Sequence, residues 1–445
     1  MKILIQNGRV MDPASGRDEV ADVAIAAGRI IAIGQIAADF QANRTLDAKG
    51  CIVAPGLVDL SVRLREPGQE HAGMLESEMA AAVAGGVTAL VCPPDTDPVL
   101  DEPGLVEMLK FRAEKLHQAR VFPLGALTRG LQGEVLTEMA ELTESGCIGF
   151  GQAEVPIVNT QVLQRALQYA ATFGYTVWLR PQDFYMGKGV AASGALATRM
   201  GLPGIPVLAE TIALHTLFEI MRAAQGKGKA NDGRGARVHL CRISSAAGLD
   251  LVRQAKAEGL LVTCDVSVHN LHLTDTDIGY YDSRLRLQPP VRQQRDREAL
   301  RAGLADGSID ALVSDHNPVS ADAKILPFAE AEPGATAVEL LLGLAAKWAQ
   351  QEGLGLMQAL AVLTTGPQTV LGNSLGTLQH SVGQLSVGGQ ADVCLFDVGQ
   401  DWRVETAALR SQGKHTPFGG HALPARVRAT IVGGHVAFEA PVESA

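Results

Sequence analysis

The sequence lacks several patterns that would assign a function class at once. It has no C-x-x-C pair, no His-x-His and no G-x-G-x-x-G. The six cysteines (Cys51, Cys92, Cys147, Cys241, Cys264, Cys394) are scattered, several inside apolar runs. That excludes zinc-ribbon and thioredoxin-like motifs and leads us to expect the reduced, buried thiols of a cytoplasmic protein. Without a Gly-rich loop after a strand, a doubly wound dinucleotide-binding sheet loses its signature. Positive charge is not in excess. The net charge of −10 argues against nucleic acid or an anionic membrane as partner. The longest stretch free of Asp, Glu, Lys and Arg, Gly353 to Ala391, is broken by Pro367, several glycines and many amides, so it is no membrane span. The opening Met1–Gly8 reads as a strand and turn, too brief for the apolar region of a signal peptide.

What is present suits one large α/β domain and a smaller β-domain. A chain of 445 residues with 47% hydrophobic and 19% charged residues can bury a sizeable core. Short strands at Lys2–Gln6, Asp22–Ala26 and Arg29–Ile33 are punctuated by Gly8, Gly16 and Gly28. Similar patterns return at residues 383–397 and in a hairpin around Gly433-Gly434. The reading is therefore a composite β-sandwich domain of residues 1–54 and 375–445, with a domain of residues 55–374 inserted. In that insert, eight strand-like runs begin near Leu57, Val87, Arg120, Cys147, Tyr175, Arg237, Leu261 and Ala311. Helical stretches lie between most of them, among them 103–116, 134–144, 161–173 and 246–258. Eight buried strands with crossovers predict a (β/α)8 TIM barrel.

Chemistry in such a barrel sits where strands end. A hydrolytic metal site there needs lone pairs from imidazoles or carboxylates. Arginine offers five donors, no acceptor and a permanent charge. Arg63, Arg180 and Arg242 stand at the decisive places after strands one, five and six, with Gln152 after strand four and Asp315 after strand eight. Taken together they predict a buried cationic ring paired with carboxylates, with Asp315 bound to one of the arginines. His239, His269 and His272 read as structural histidines. The loops Gly187-Lys188-Gly189 and Gly226-Lys227-Gly228-Lys229 read as mobile connectors.

Several blocks carry a family likeness: Val58-Asp59-Leu60-Ser61-Val62-Arg63-Leu64-Arg65-Glu66-Pro67-Gly68, Cys92-Pro93-Pro94-Asp95, Gly201-Leu202-Pro203-Gly204, Gln288-Pro289-Pro290 and Asp315-His316-Asn317-Pro318. The chain resembles the dihydroorotase branch of the amidohydrolase superfamily. The resemblance implies metal-binding histidines at the positions of Ser61, Arg63, Arg180 and Arg242, and a bridging Asp near Gln152 or Ala153. All are changed. Asp315 matches the family's metal-bound general base and Arg65 its substrate-carboxylate arginine. A substrate Asn appears as Asp95. This pattern is similar to the non-catalytic dihydroorotase homologues that partner bacterial aspartate transcarbamoylase. It implies an inactive structural subunit with no cofactor, an aspartate transcarbamoylase catalytic chain as partner, and a homodimer. The alternative is an active metal-dependent dihydroorotase, or a related cyclic amidohydrolase, with an atypical site. It would convert dihydroorotate to N-carbamoyl-L-aspartate and would need zinc, with His269, His316 and Asp315 as the residues to test. A third reading makes the arginine ring and Arg65 a sensor of a dicarboxylate. An emptied site lacks the ligand that would order its loops, so the strand-end loops at 93–99 and 185–194 are expected to be among the more mobile parts, while the sequence leaves the order of 272–292 open.

Overall fold

The structure is a computed structural model that describes residues 1–225, 235–399 and 401–441. The loop Gly226-Lys227-Gly228-Lys229 lies outside the described residues. The barrel strands are Leu57–Asp59, Val87–Cys92, Arg120–Pro123 continuing through Gly125–Ala126, Phe150–Gly151, Thr176–Leu179, Arg237–Leu240, Val262–Ser267 and Ala311–Val313. Neighbouring strands pair in parallel in that order, and Val62 bridges His316 to close the ring. All six residues of Val87–Cys92 are buried, as expected of a strand covered on both faces.

The crossover helices follow local rules. Thr160–Phe173 is capped by Asn159, whose side chain accepts from the Gln161 N–H, and stops at Gly174 with φ 74°. It buries Val162, Leu163, Ala166, Leu167 and Ala170, one helical stripe. Ala246–Ala257 starts at Ser245, whose hydroxyl accepts from Gly248 N–H. The spacing at 134–144 predicts a helix, but only Met139–Glu144 is helical. Leu136 is drawn back into an antiparallel bridge with Thr128, and Arg129 N–H bonds to the Val135 carbonyl. Tertiary pairing overrides the helical pattern there.

The second domain draws on both chain ends. One sheet orders the strands 29–33, 23–26, 2–6 and 44–47. The other runs 435–439, 426–432, 393–397, 51–55, 9–12 and 17–20. Val393 lies opposite Pro55, so the chain returns from the barrel alongside the strand by which it entered. Ile3, Ile5, Val10, Ile25, Val53, Val393 and Ile431 fill the space between the sheets. Gly56 joins the two domains where a Cβ would lie 2.1 Å from Thr88 Oγ1, so no larger residue fits. The fold is a TIM barrel with a β-sandwich domain. Among the described residues no helix is long and apolar enough to cross a membrane, and all six cysteines are free thiols.

Candidate functional site: a salt-bridge cluster at the strand ends

The C-terminal ends of the barrel strands converge on one ion cluster. Arg63, Arg180 and Arg242 are 4%, 8% and 4% exposed. Glu154, just past strand four, binds all three. Its Oε1 accepts from Arg63 Nη2 at 2.8 Å and from Arg242 Nη2, while its Oε2 pairs with Arg180 Nε. Arg63 Nε donates to Asp95 at 2.9 Å, and Arg242 Nη1 donates to Asp315 at 2.8 Å. The arginine expected to pair with Asp315 is therefore Arg242. Arg63 lies 3.9 Å from the same oxygen. Burial alone would push the guanidiniums of Arg63 and Arg242 down. The carboxylates around them reverse that and raise both. Burial raises the Glu154 carboxyl, but Arg180, Arg242 and Arg63 together hold it well below the usual range.

The backbone that aims these groups is strained. Arg65, Ala153, Arg242 and Asp315 have φ of 62°, 49°, 57° and 50°. Left-handed conformations cost a non-glycine residue on the order of 1 kcal/mol and gather at functional sites. At Arg242 the turn is held by its N–H on Asp265 Oδ1 at 2.6 Å. Beyond it, Ser244 and Ser245 both bind the Glu210 carboxylate through backbone and hydroxyl. The side chains these turns present are guanidiniums and the carboxylates bonded to them.

The remaining predicted positions sort clearly. Ser61 is buried and lines a cavity of about 20 Å³ with Arg63, Trp178, Arg180, Cys241 and Arg242. Gln152 does not join the cluster. Its amide bonds to Thr128 Oγ1 and the Leu131 carbonyl, so its role is to pin the 128–131 turn. Arg65 is engaged with the Pro318 carbonyl, Gln69 and Glu332. Asp95 is neutralised by Arg63 rather than facing a substrate. His316 bonds to the buried Glu78 at 2.8 Å through Nε2, and its Nδ1 faces the Ala337 N–H at 3.2 Å. His269 is buried against Phe418, and burial lowers its ring to about 3. The 272–292 loop is knit by Asp275 N–H on the Arg292 carbonyl and by Ser283 on the Lys324 carbonyl. Lys188 sits 4.6 Å over the Phe184 ring.

Glu154 is the residue that motif reading missed, since no family position marks it. Charge counting could have found it. Three buried cations with only Asp95 and Asp315 to face them need a further carboxylate.

A divalent ion does not fit this donor set. The strand-end guanidiniums carry no lone pairs, their carboxylates are already bonded, and the cavity holds about one water molecule. Among the described residues, His239, Cys241 and Asp265 form a group with ligand-type atoms within 4.8 Å of one another. Its imidazole is already used: Nε2 bonds to Asp265 and Nδ1 to Thr263, each at 2.9 Å.

Comparison with known proteins agrees with this architecture. Residues 50–247 match the family described as dihydro-orotase-like, and residues 226–437 match the amidohydrolase family. A "dihydroorotase-like protein" of Pseudomonas aeruginosa is 44% identical over 99% of this chain and 100% of its own length. One from Pseudomonas putida is 44% identical over 98% of this chain and 99% of its own. A "dihydroorotase" of Geobacter sp. (strain M21) is 38% identical over 99% of this chain and all of its own. Among solved structures, an L-hydantoinase (dihydropyrimidinase) from Arthrobacter aurescens has a TM-score of 0.83. It is 23% identical, with 98% of this chain and 95% of that one covered. The fold, the strand-end loops and these relatives lead to one assignment: the chain belongs to the dihydroorotase-like family of the amidohydrolase superfamily.

Proposed function

We propose that this protein is a catalytically inactive dihydroorotase homologue that serves as a structural subunit for aspartate transcarbamoylase in cytoplasmic pyrimidine biosynthesis, itself as a homodimer. The observation that carries the first half is Glu154 bound to Arg63, Arg180 and Arg242. A permanent cation at three strand ends cannot ligate a metal, and the carboxylates that could ligate one are bonded to those cations. The cavity that Ser61, Arg63 and Arg242 line, about 20 Å³, is far below the roughly 300 Å³ at which ligand pockets begin. The partner half rests on the family resemblance and on relatives named dihydroorotase-like rather than dihydroorotase.

The test is co-assembly. The purified chain is mixed with the aspartate transcarbamoylase catalytic chain from the same cell and run by size-exclusion chromatography with light scattering. The proposal expects one co-eluting complex with a fixed ratio, and a transcarbamoylase more stable in it than alone. Separate elution at micromolar concentration would sink the partner assignment. The second reading, a working dihydroorotase, is favoured by relatives that carry that name, such as the Geobacter protein. Conversion of dihydroorotate by the isolated chain would support it.

A further inference from the structure

The arginine cluster has donors left over. Arg63 Nη1 and Arg242 Nε are buried and have no hydrogen-bond acceptor among the described residues. Asp315 Oδ1 lies 3.9 Å from the first. Both arginines line the cavity of about 20 Å³, together with Ser61 and Cys241. The rest of the lining is largely apolar and includes Leu60, Pro93, Pro94, Leu124 and Trp178, and a buried N–H left without an acceptor is costly.

Its electrostatics point the same way. The three guanidinium side chains are at most 5% exposed; of the carboxylates that face them only Asp315, 8% exposed, lies comparably deep, whereas Asp95 and Glu154 are 23% and 28% exposed. Water screens the negative groups on the rim more than the positive groups inside. The interior keeps an excess of positive potential. We infer that this cavity binds a monatomic anion, a halide such as chloride, held by Arg63 Nη1, Arg242 Nε and the Ser61 hydroxyl. The place where the family holds cations has become an anion site. Room for little more than one water molecule excludes sulfate, phosphate and dicarboxylates from this cavity. The inference rests on the salt-bridge cluster and not on any partner.

The experiment uses the full chain prepared without halide. Thermal melting is followed as chloride or bromide replaces gluconate at constant ionic strength, and crystals grown in bromide are measured at the bromine edge. The expected result is a saturable rise in melting temperature with either halide. It comes with one anomalous peak per chain within hydrogen-bond distance of Arg63 Nη1 and Arg242 Nε. Ser61→Val, which fills the cavity and removes the hydroxyl, should abolish the halide response while melting near the wild type in gluconate. Equal melting in gluconate and halide, or a cavity with no anomalous signal, overturns the inference. So does a halide response unchanged in Ser61→Val. A failure of co-assembly with a transcarbamoylase leaves these readouts untouched, so the two proposals fail separately.

Discussion

Glu154→Gln is the sharpest perturbation of the cluster. The substitution keeps the shape and removes the one charge that faces three buried guanidiniums. Breaking a buried ion pair by deleting one partner costs about 3–5 kcal/mol, because the other charge is left uncompensated. Three arginines are affected here, but Asp95 and Asp315 still hold two of them, so we expect a loss of about 3–5 kcal/mol. Against a typical total of about 5–15 kcal/mol, that is a large fraction of the barrel's stability. Urea denaturation followed by tryptophan fluorescence reads it directly, since Trp178 lines the same cavity. A second variant separates charge from packing. Glu154→Leu combined with Arg63→Met, Arg180→Met and Arg242→Met removes the cations as well, and it should recover most of the loss. The acid limb gives an independent check. The folded Glu154 carboxyl is held below its unfolded value. Its contribution is therefore fully present above the unfolded pKa and is lost only as pH falls through the lower folded one. Wild type minus Glu154→Gln stability should stay flat from pH 8 to about 5 and shrink only in stronger acid. A loss under 1 kcal/mol, or a quadruple variant no more stable than Glu154→Gln, would refute the reasoning.

Other consequences follow from buried groups elsewhere. Glu78 accepts from Ser411 Oγ and Gln412 N–H and pairs with His316, tying a barrel helix to the segment that leads back to the β-domain. Glu78→Gln should cost about 3–5 kcal/mol in chemical denaturation, and a change within error would show the tie to be dispensable. Burial raises the Asp59 carboxyl to about 7. Stability contributed by the protonated form should therefore fall as pH rises from about 4 to 7. Asp59→Asn should flatten that slope, whereas an unchanged slope would place the titration elsewhere. Dihydroorotate and N-carbamoyl aspartate should leave the melting temperature unchanged at millimolar concentration, since neither fits about 20 Å³. A saturable rise would reopen the substrate site.

Much of the architecture was legible in the sequence because barrel strands buried on both faces read as unbroken apolar runs. The run opening at Val87 is the strand Val87–Cys92. The helical period at 161–173 was also readable, and the helix is Thr160–Phe173. The 134–144 stretch was not, because a side-chain period cannot reveal that Leu136 will pair with Thr128. The site was legible as a set of substitutions. Arg63, Arg180 and Arg242 announced the loss of lone pairs by residue type alone. Their organisation was not legible. Glu154 and Gln152 are two residues apart, and only the turn after Phe150–Gly151, with Ala153 at φ 49°, sends one into the ring and the other toward Thr128. Arg65 likewise looked free, while its partner Glu332 lies far along the chain in a loop with no recognisable pattern.

The account's central claim is that guanidiniums have taken the place of a metal centre. Elemental analysis of the purified chain after long dialysis without chelator tests this most directly. The account predicts far less than one equivalent of zinc, cobalt, manganese or iron per chain. One or two tightly held equivalents would contradict it and return His239, Cys241, Asp265 and Asp315 to consideration as ligands.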